Sequence, residues 1–420
     1  MPLRNSLRCA LAVVAVLHFL LSDSLSEASE WPRFRGPNGS GVSDAVTVPV
    51  EWSEDDYNWS AQLPGRGHSS PVVWGHRLFV TSADDKAAVR WLSCVDVRDG
   101  SEVWKHEFPF ETHKKHKNNS YASSTPAVDE DHVYVLWHSK VASPLVAFDH
   151  DGTKAWEIDL GPYLHGQGGA TSPIVYEDLV VVANDHSAGS YLIALDRKSG
   201  KERWRIPREG KRACYATPCV FTAPGGEPEL IFSHCYEGII GVDPKTGRQN
   251  WHVDVFGRAS QRALGSPVVT GELVLATSGG VNGDKQLVAV RPGGAGSAAT
   301  VKEAYRVTRQ TPHVPTPLIY KDRLFLWSDS GIASCLERDT GKVIWQKRIG
   351  GNFFGSPVCI DGKLYCIDVD GEVVVIAASD EYELLARNPL GETSRATPAV
   401  SGGTLFLRTE SRVISVGGPS

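Results

Sequence analysis

A motif ending in tryptophan recurs along this chain at fixed offsets, and it limits the possible folds more than any other feature. Asp196–Gly200–Trp204, Asp243–Gly247–Trp251 and Glu337–Gly341–Trp345 share one spacing. Asp96–Gly100–Trp104 keeps it, and Asp149–Gly152–Trp156 is one residue shorter. A second mark punctuates the chain. Ser70, Thr125, Ser172, Thr217, Ser266, Thr316, Ser356 and Thr397 are each followed by proline, and each pair leads into an apolar run. Repeats of this length made of short strands indicate a radial array, in which each unit buries its faces only against its neighbours.

One unit reads as four strands. Proline at the head of the first strand is tolerated, since no ladder donor is lost there. Asp-Gly at 361–362 is a two-residue hairpin turn between the first and second strands. The acidic residue and glycine before the fourth strand are turn chemistry. The tryptophan then serves as a wedge between sheets, where an indole buries roughly 150–250 Å². Trp59, Trp104, Trp156, Trp204, Trp251 and Trp345 are the expected blade-docking residues, and Tyr305 substitutes in the fifth unit. The seventh unit, around Glu381–Leu385, has neither glycine nor tryptophan.

The defects of the repeat are informative. After Thr397-Pro398 only three strands follow, ending near Val416. The missing piece, Tyr57–Leu63 with Trp59, precedes the first Ser-Pro. It completes the last blade and removes the open edges of the array. The expected fold is all-β: a single eight-bladed β-propeller of four-stranded blades, closed by an N-terminal strand. Residues 57–416 form it, 29–56 form an N-terminal strap lying across the ring, and 417–420 are a C-terminal tail.

Residues 1–28 read as a secretory signal peptide. Arg4 and Arg8 precede an apolar run from Cys9 to Leu21, and Ser26-Glu27-Ala28 offers small residues for cleavage. The run is short for a membrane span, so the mature chain is expected to be exported, periplasmic or secreted, with no transmembrane span. A net charge of −6 gives no basic face for nucleic acid. Seven of the eight cysteines lie beyond the signal, and an odd count leaves at least one thiol or an intermolecular bridge. Cys219 with Cys235, and Cys359 with Cys366, could face each other across hairpins, and Cys214 competes for the first pair.

The Ala-Leu-Asp-x-x-Ser/Thr-Gly-x-x-x-Trp pattern resembles the repeat of PQQ-like β-propellers, the quinoprotein alcohol dehydrogenase-like superfamily. The resemblance covers about residues 57–416, and Trp31–Ser43 looks like the start of a group of exported bacterial propellers. It implies the fold, and two kinds of function. The superfamily holds quinone-dependent dehydrogenases and also the non-catalytic propeller subunit of the outer-membrane β-barrel assembly machinery, which this chain resembles more. Dehydrogenases of the superfamily often place adjacent cysteines against the cofactor, and no Cys-Cys occurs here.

In a propeller the loops entering the first strands ring one mouth of the channel. They offer His68, Arg212, Gln261, Arg262, His313, Asn352 and Arg395 as the candidate ligand-binding set, with the arginines as anion donors. No catalytic residue and no metal site is assigned. The expectation is a monomeric, non-catalytic scaffold presenting loops to a protein partner or polymer of the cell envelope. The alternative is a PQQ-dependent oxidoreductase of alcohols or sugars, or a degenerate relative that binds PQQ with Ca2+.

Overall fold

The structure, a computed structural model, describes residues 30–210, 212–257, 262–280, 284–293 and 301–419. The signal-peptide reading and Gln261 lie outside the described residues. Eight antiparallel sheets follow one another around an axis. Blade one comprises Val72–Trp74, Arg77–Asp84, Val89–Asp96 and Glu102–Pro109, with the first strand innermost. Blades two to seven repeat this order from Ala127, Ile174, Cys219, Val268, Leu318 and Val358. Trp74 ends the first strand of blade one.

The ring closes as the sequence indicated. Tyr57–Gln62 pairs antiparallel with Arg412–Gly417, with Trp59 opposite Ser415 and Gln62 opposite Arg412. The eighth blade thus draws its outer strand from the front of the chain and its inner three from the end.

Docking between blades follows one rule. In every blade the ladder between third and fourth strands slips by one residue just before the tryptophan position. Such a bulge turns the next side chain out of the sheet. The indole then lies on the acidic-glycine turn of the following blade. Trp59 donates its Nε1–H to Val97 O at 2.8 Å, Trp156 to Arg197 O at 2.9 Å and Trp204 to Pro244 O at 2.7 Å. Tyr305 reaches Arg338 O in the same way, at 2.5 Å. Glycine is required beneath the ring: a Cβ on Gly200, at φ +69°, would stand 2.8 Å from Trp156.

This rule explains the irregular units. Blade eight has no turn between its third and fourth strands, because those strands come from distant parts of the chain. Blade seven accordingly carries Ala386 where others carry tryptophan. Trp52 of the strap fills the space, packed with Tyr365 and Val375 of blade seven and Leu405 and Val416 of blade eight. Its backbone N–H donates to Asn388 Oδ1 at 3.0 Å. Blade five lacks the motif, and Trp251 of blade four donates to Glu229 within its own sheet.

The strap spans the axis. Trp31 bridges Val73 of blade one, Val128 of blade two donates to Pro32 O, and Arg33 reaches Pro218 O of blade four at 2.6 Å. Arg35 donates to Pro317 O of blade six at 2.9 Å. Val42–Ser43 then adds a parallel fifth strand on the axis side of blade seven. Among the described residues no helix is long and apolar enough to cross a membrane.

Candidate ligand site at the mouth of the ring

Each Ser/Thr-Pro delivers its hydroxyl residue to the axis. All eight line one cavity of about 840 Å³. They also form a belt. The backbone N–H of Ser70 donates to Thr125 Oγ1, that of Thr125 to Ser172 Oγ, and so on to Thr397, which donates to Ser70 Oγ. Seven of the eight steps are hydrogen-bonded among the described residues, at 2.9–3.1 Å. The hydroxyl in the motif thus joins blade to blade at the inner rim, as the tryptophan joins them outside. Sequence reasoning read these residues as fold marks only. Phe34, carried in by the strap, forms part of the lining, and its position in the sequence gives no hint of that.

Of the expected mouth residues, His68, Arg212, Arg262, His313, Asn352 and Arg395 all border this cavity. Lys117 and Lys285 join them and were not foreseen. Among the described lining residues Asp329 is the single carboxylate, against five lysines and arginines. Asp329 is already engaged: it accepts from Lys285 Nζ at 3.0 Å, His313 N at 2.8 Å and Val314 N at 3.0 Å. The mouth is therefore locally cationic in a chain of net charge −6.

Second contacts orient these cations. Arg262 Nη1 lies 3.1 Å from His165 Nε2, and His165 Nδ1 is 2.9 Å from Ser187 Oγ. Burial and the neighbouring Arg262 and Arg212 push His165 down to about 4. It is neutral at pH 7, and its Nε2 can accept a hydrogen bond from the guanidinium. Arg395 Nη1 lies 3.4 Å from Glu410 Oε1, which sits behind the rim. Tyr215 holds its loop by donating to Gly168 O at 2.7 Å.

Buried histidines give the fold a pH dependence. Burial, reinforced by Arg395, holds His68 at about 3, and burial with Arg90 does the same for His138. Both lie below the unfolded value of about 6.5. Below that value the unfolded chain takes up protons that the folded one refuses. Stability is complete above pH 6.5 and falls as pH drops toward 3. Each histidine should contribute a loss of roughly 2 kcal/mol between pH 7.5 and 5. Denaturant midpoints at the two pH values check this. The difference should shrink in His138→Gln, and an unchanged difference would remove the histidine from the account.

The sequence expectations for cysteine need correction. Cys219 stands opposite Ile231, and Cys359 opposite Leu364, so neither pairs across its hairpin as expected. All seven described cysteines are unbridged and buried. Continuing the Cys219–Ile231 register brings Cys235 level with residue 215, and Cys214 is its actual neighbour, Sγ to Sγ 3.4 Å.

Comparison with known proteins agrees with this architecture. Residues 88–317 and 294–417 match the family model described as outer membrane protein assembly factor BamB. The protein of that name from Yersinia pestis is 21% identical over 87% of this chain and 80% of its own length. That of Moranella endobia is 26% identical over 58% of this chain and 63% of its own. Among solved structures, BamB from Moraxella catarrhalis superposes with a TM-score of 0.61 at 16% identity, covering 86% of this chain and 98% of that one. A europium-containing methanol dehydrogenase gives 0.66 at 12% identity, over 93% and 90%. At such identities the two structures speak for the fold alone. The family model spans most of the ring, and by it this chain belongs to the propeller family described as outer membrane protein assembly factor BamB.

Proposed function

We propose that this protein is a non-catalytic scaffold of the cell envelope, exported by residues 1–28, that holds a protein partner in outer-membrane assembly. The observation that carries the reading is the family match over residues 88–417, with relatives named as assembly factors. The geometry supports it. The ring is fastened at both rims and plugged by the strap, a rigid frame from which loops project at fixed spacing. His68, Arg212, Arg262, His313, Asn352 and Arg395 are the contact set proposed at the mouth. Their charge suits an acidic segment of a partner, and arginine binds carboxylates in a forked, directional way.

The quinone reading fits less well. PQQ is a tri-acid, and the mouth arginines suit its carboxylates. Its divalent cation needs several hard oxygen ligands, and a dehydrogenase needs a carboxylate base. Asp329 is the single carboxylate among the described lining residues, and three donors already occupy it. Trp137 and Trp327, two indoles outside the repeat motif, are buried in blade cores away from this lining. The donor set does not fit the loaded cofactor.

Depletion in the source cell, followed by quantitation of β-barrel proteins in its outer membrane, tests the scaffold reading. Their abundance should fall, and Arg262→Ala with Arg395→Ala should restore it less well than the unaltered protein. Unchanged barrel levels on depletion overturn the reading. Dye-linked oxidation of alcohols or sugars by the purified protein with added PQQ and Ca2+ would overturn it in favour of the dehydrogenase.

A further inference from the structure

Cys214 and Cys235 sit apart from the blade cores. With Ala216 and Ala263 they form a small apolar nest of their own, capped by Tyr236. The other five cysteines are embedded in blade packing: Cys94, Cys219, Cys335, Cys359 and Cys366. The two sulfurs are 3.4 Å apart, and the backbone N–H of Cys235 also points to Cys214 Sγ at 3.5 Å. The Cys214 sulfur is thus held against Cys235, and the two sulfurs need to approach by only about 1.4 Å to reach disulfide length.

His234 completes a Cys–His–Cys trio whose ligand atoms lie within 4.8 Å of one another. Both its ring nitrogens are occupied. Nδ1 accepts from Tyr236 N at 3.2 Å, and Nε2 faces Arg212 O at 3.2 Å, which it can only donate to. The ring also hydrogen-bonds the Cys214 thiol, so a metal would have to displace these contacts. Two sulfurs without a free third ligand favour covalent coupling.

We propose that Cys214 and Cys235 form a disulfide that fastens the mouth loop carrying Arg212 and Tyr215 to the hairpin of blade four. The oxidant is a small-molecule or protein disulfide, and oxidised glutathione serves as its representative. Burial pushes the Cys214 thiol well up, while its S–H, directed at Cys235, holds that thiol below its usual value. Before blade four is sealed neither environment exists, so either thiol can begin the exchange, Cys235 for one. Its thiolate attacks one glutathione sulfur and forms a mixed disulfide, and one glutathione thiolate leaves. Cys214, on losing its proton, attacks the Cys235 sulfur of that intermediate and displaces the second. Two electrons pass to the glutathione disulfide, and the two cysteine protons end on the two glutathione thiols. Both sulfurs are shut in by the folded ring, at 1% and 2% exposure. Exchange therefore belongs to folding, before blade four is sealed. The bridge would hold in place the loop that carries Arg212 and Tyr215, two residues of the cavity lining.

The test refolds the mature chain in a glutathione redox buffer, then denatures it without reductant and alkylates it. Seven mature cysteines less the two bridged leave five labelled sites, with Cys214 and Cys235 protected until reductant is added. In Cys219→Ser the same two stay protected, and in Cys214→Ser Cys235 becomes labelled. Denaturing conditions make the labelling report bonding rather than burial. Full labelling of the pair before reduction overturns the proposal, and so does protection of Cys219 in place of Cys214. One zinc ion per chain, lost in Cys214→Ser, would overturn it in favour of a metal site.

Discussion

Replacing Trp59 by alanine should lower the unfolding free energy by roughly 3–5 kcal/mol, the cost of deleting a large buried aromatic. The position joins two structural duties. Its indole is buried between blades eight and one, donates to Val97 O and lies on Gly100. Its backbone belongs to the one strand that pairs the two ends of the chain. Loss of the wedge loosens the docking of blade eight on blade one, next to a strand that only hydrogen bonds hold to the rest of blade eight. The measurement is denaturant unfolding followed by circular dichroism. A parallel Trp204→Ala variant, at an ordinary blade junction with its indole N–H on Pro244 O, gives the comparison. A Trp59→Ala loss below about 1 kcal/mol would show that the seam does not depend on the wedge.

The second large effect concerns the glycine beneath each ring. Gly200→Ala is expected to cost about 2–5 kcal/mol, combining a left-handed backbone with overpacking. Gly75→Ala isolates the backbone part. Gly75 has φ +54°, and a Cβ there would meet nothing within 4 Å. Its loss should be about 1 kcal/mol. The difference between the two reports the contact with Trp156. Equal losses would mean that the turn alone, not the indole above it, demands glycine.

These two positions also show how the fold became legible. Tryptophan and glycine sit at fixed spacing because one blade's indole rests on the next blade's turn. A contact between neighbours in space is thus written as a period along the chain. Trp59 could be assigned because the last unit lacked its fourth strand. The strap left no such trace. Arg33 and Arg35 bond to Pro218 and Pro317 across sequence separations of 185 and 282 residues. Nothing local encodes those contacts.

The mouth was legible in outline. Loops entering first strands must reach the rim, so His68, Arg262, His313, Asn352 and Arg395 were found from topology alone. Lys285 was missed because it stands in another loop and reaches the cavity through Asp329. The partner of Cys235 stayed open between Cys219 and Cys214 for a different reason. A hairpin with a long turn does not reveal its register; the observed register carries Cys235 well past Cys219, and the loop before the strand brings Cys214 to it.

The seam between Tyr57–Gln62 and Arg412–Gly417 has a consequence for the order of events in folding. The strand synthesised near the beginning waits for a partner synthesised at the very end. Seven blades can stack as the chain lengthens, yet every such intermediate is an open arc with two uncovered blade faces and an unpaired strand with raw edges. The gap closes only when the last residues arrive. Pairing over so great a sequence separation is slow to find, and the waiting edges invite pairing with other chains. A chain of this kind has most to gain from protection during that interval, and least need of it once the circle is made.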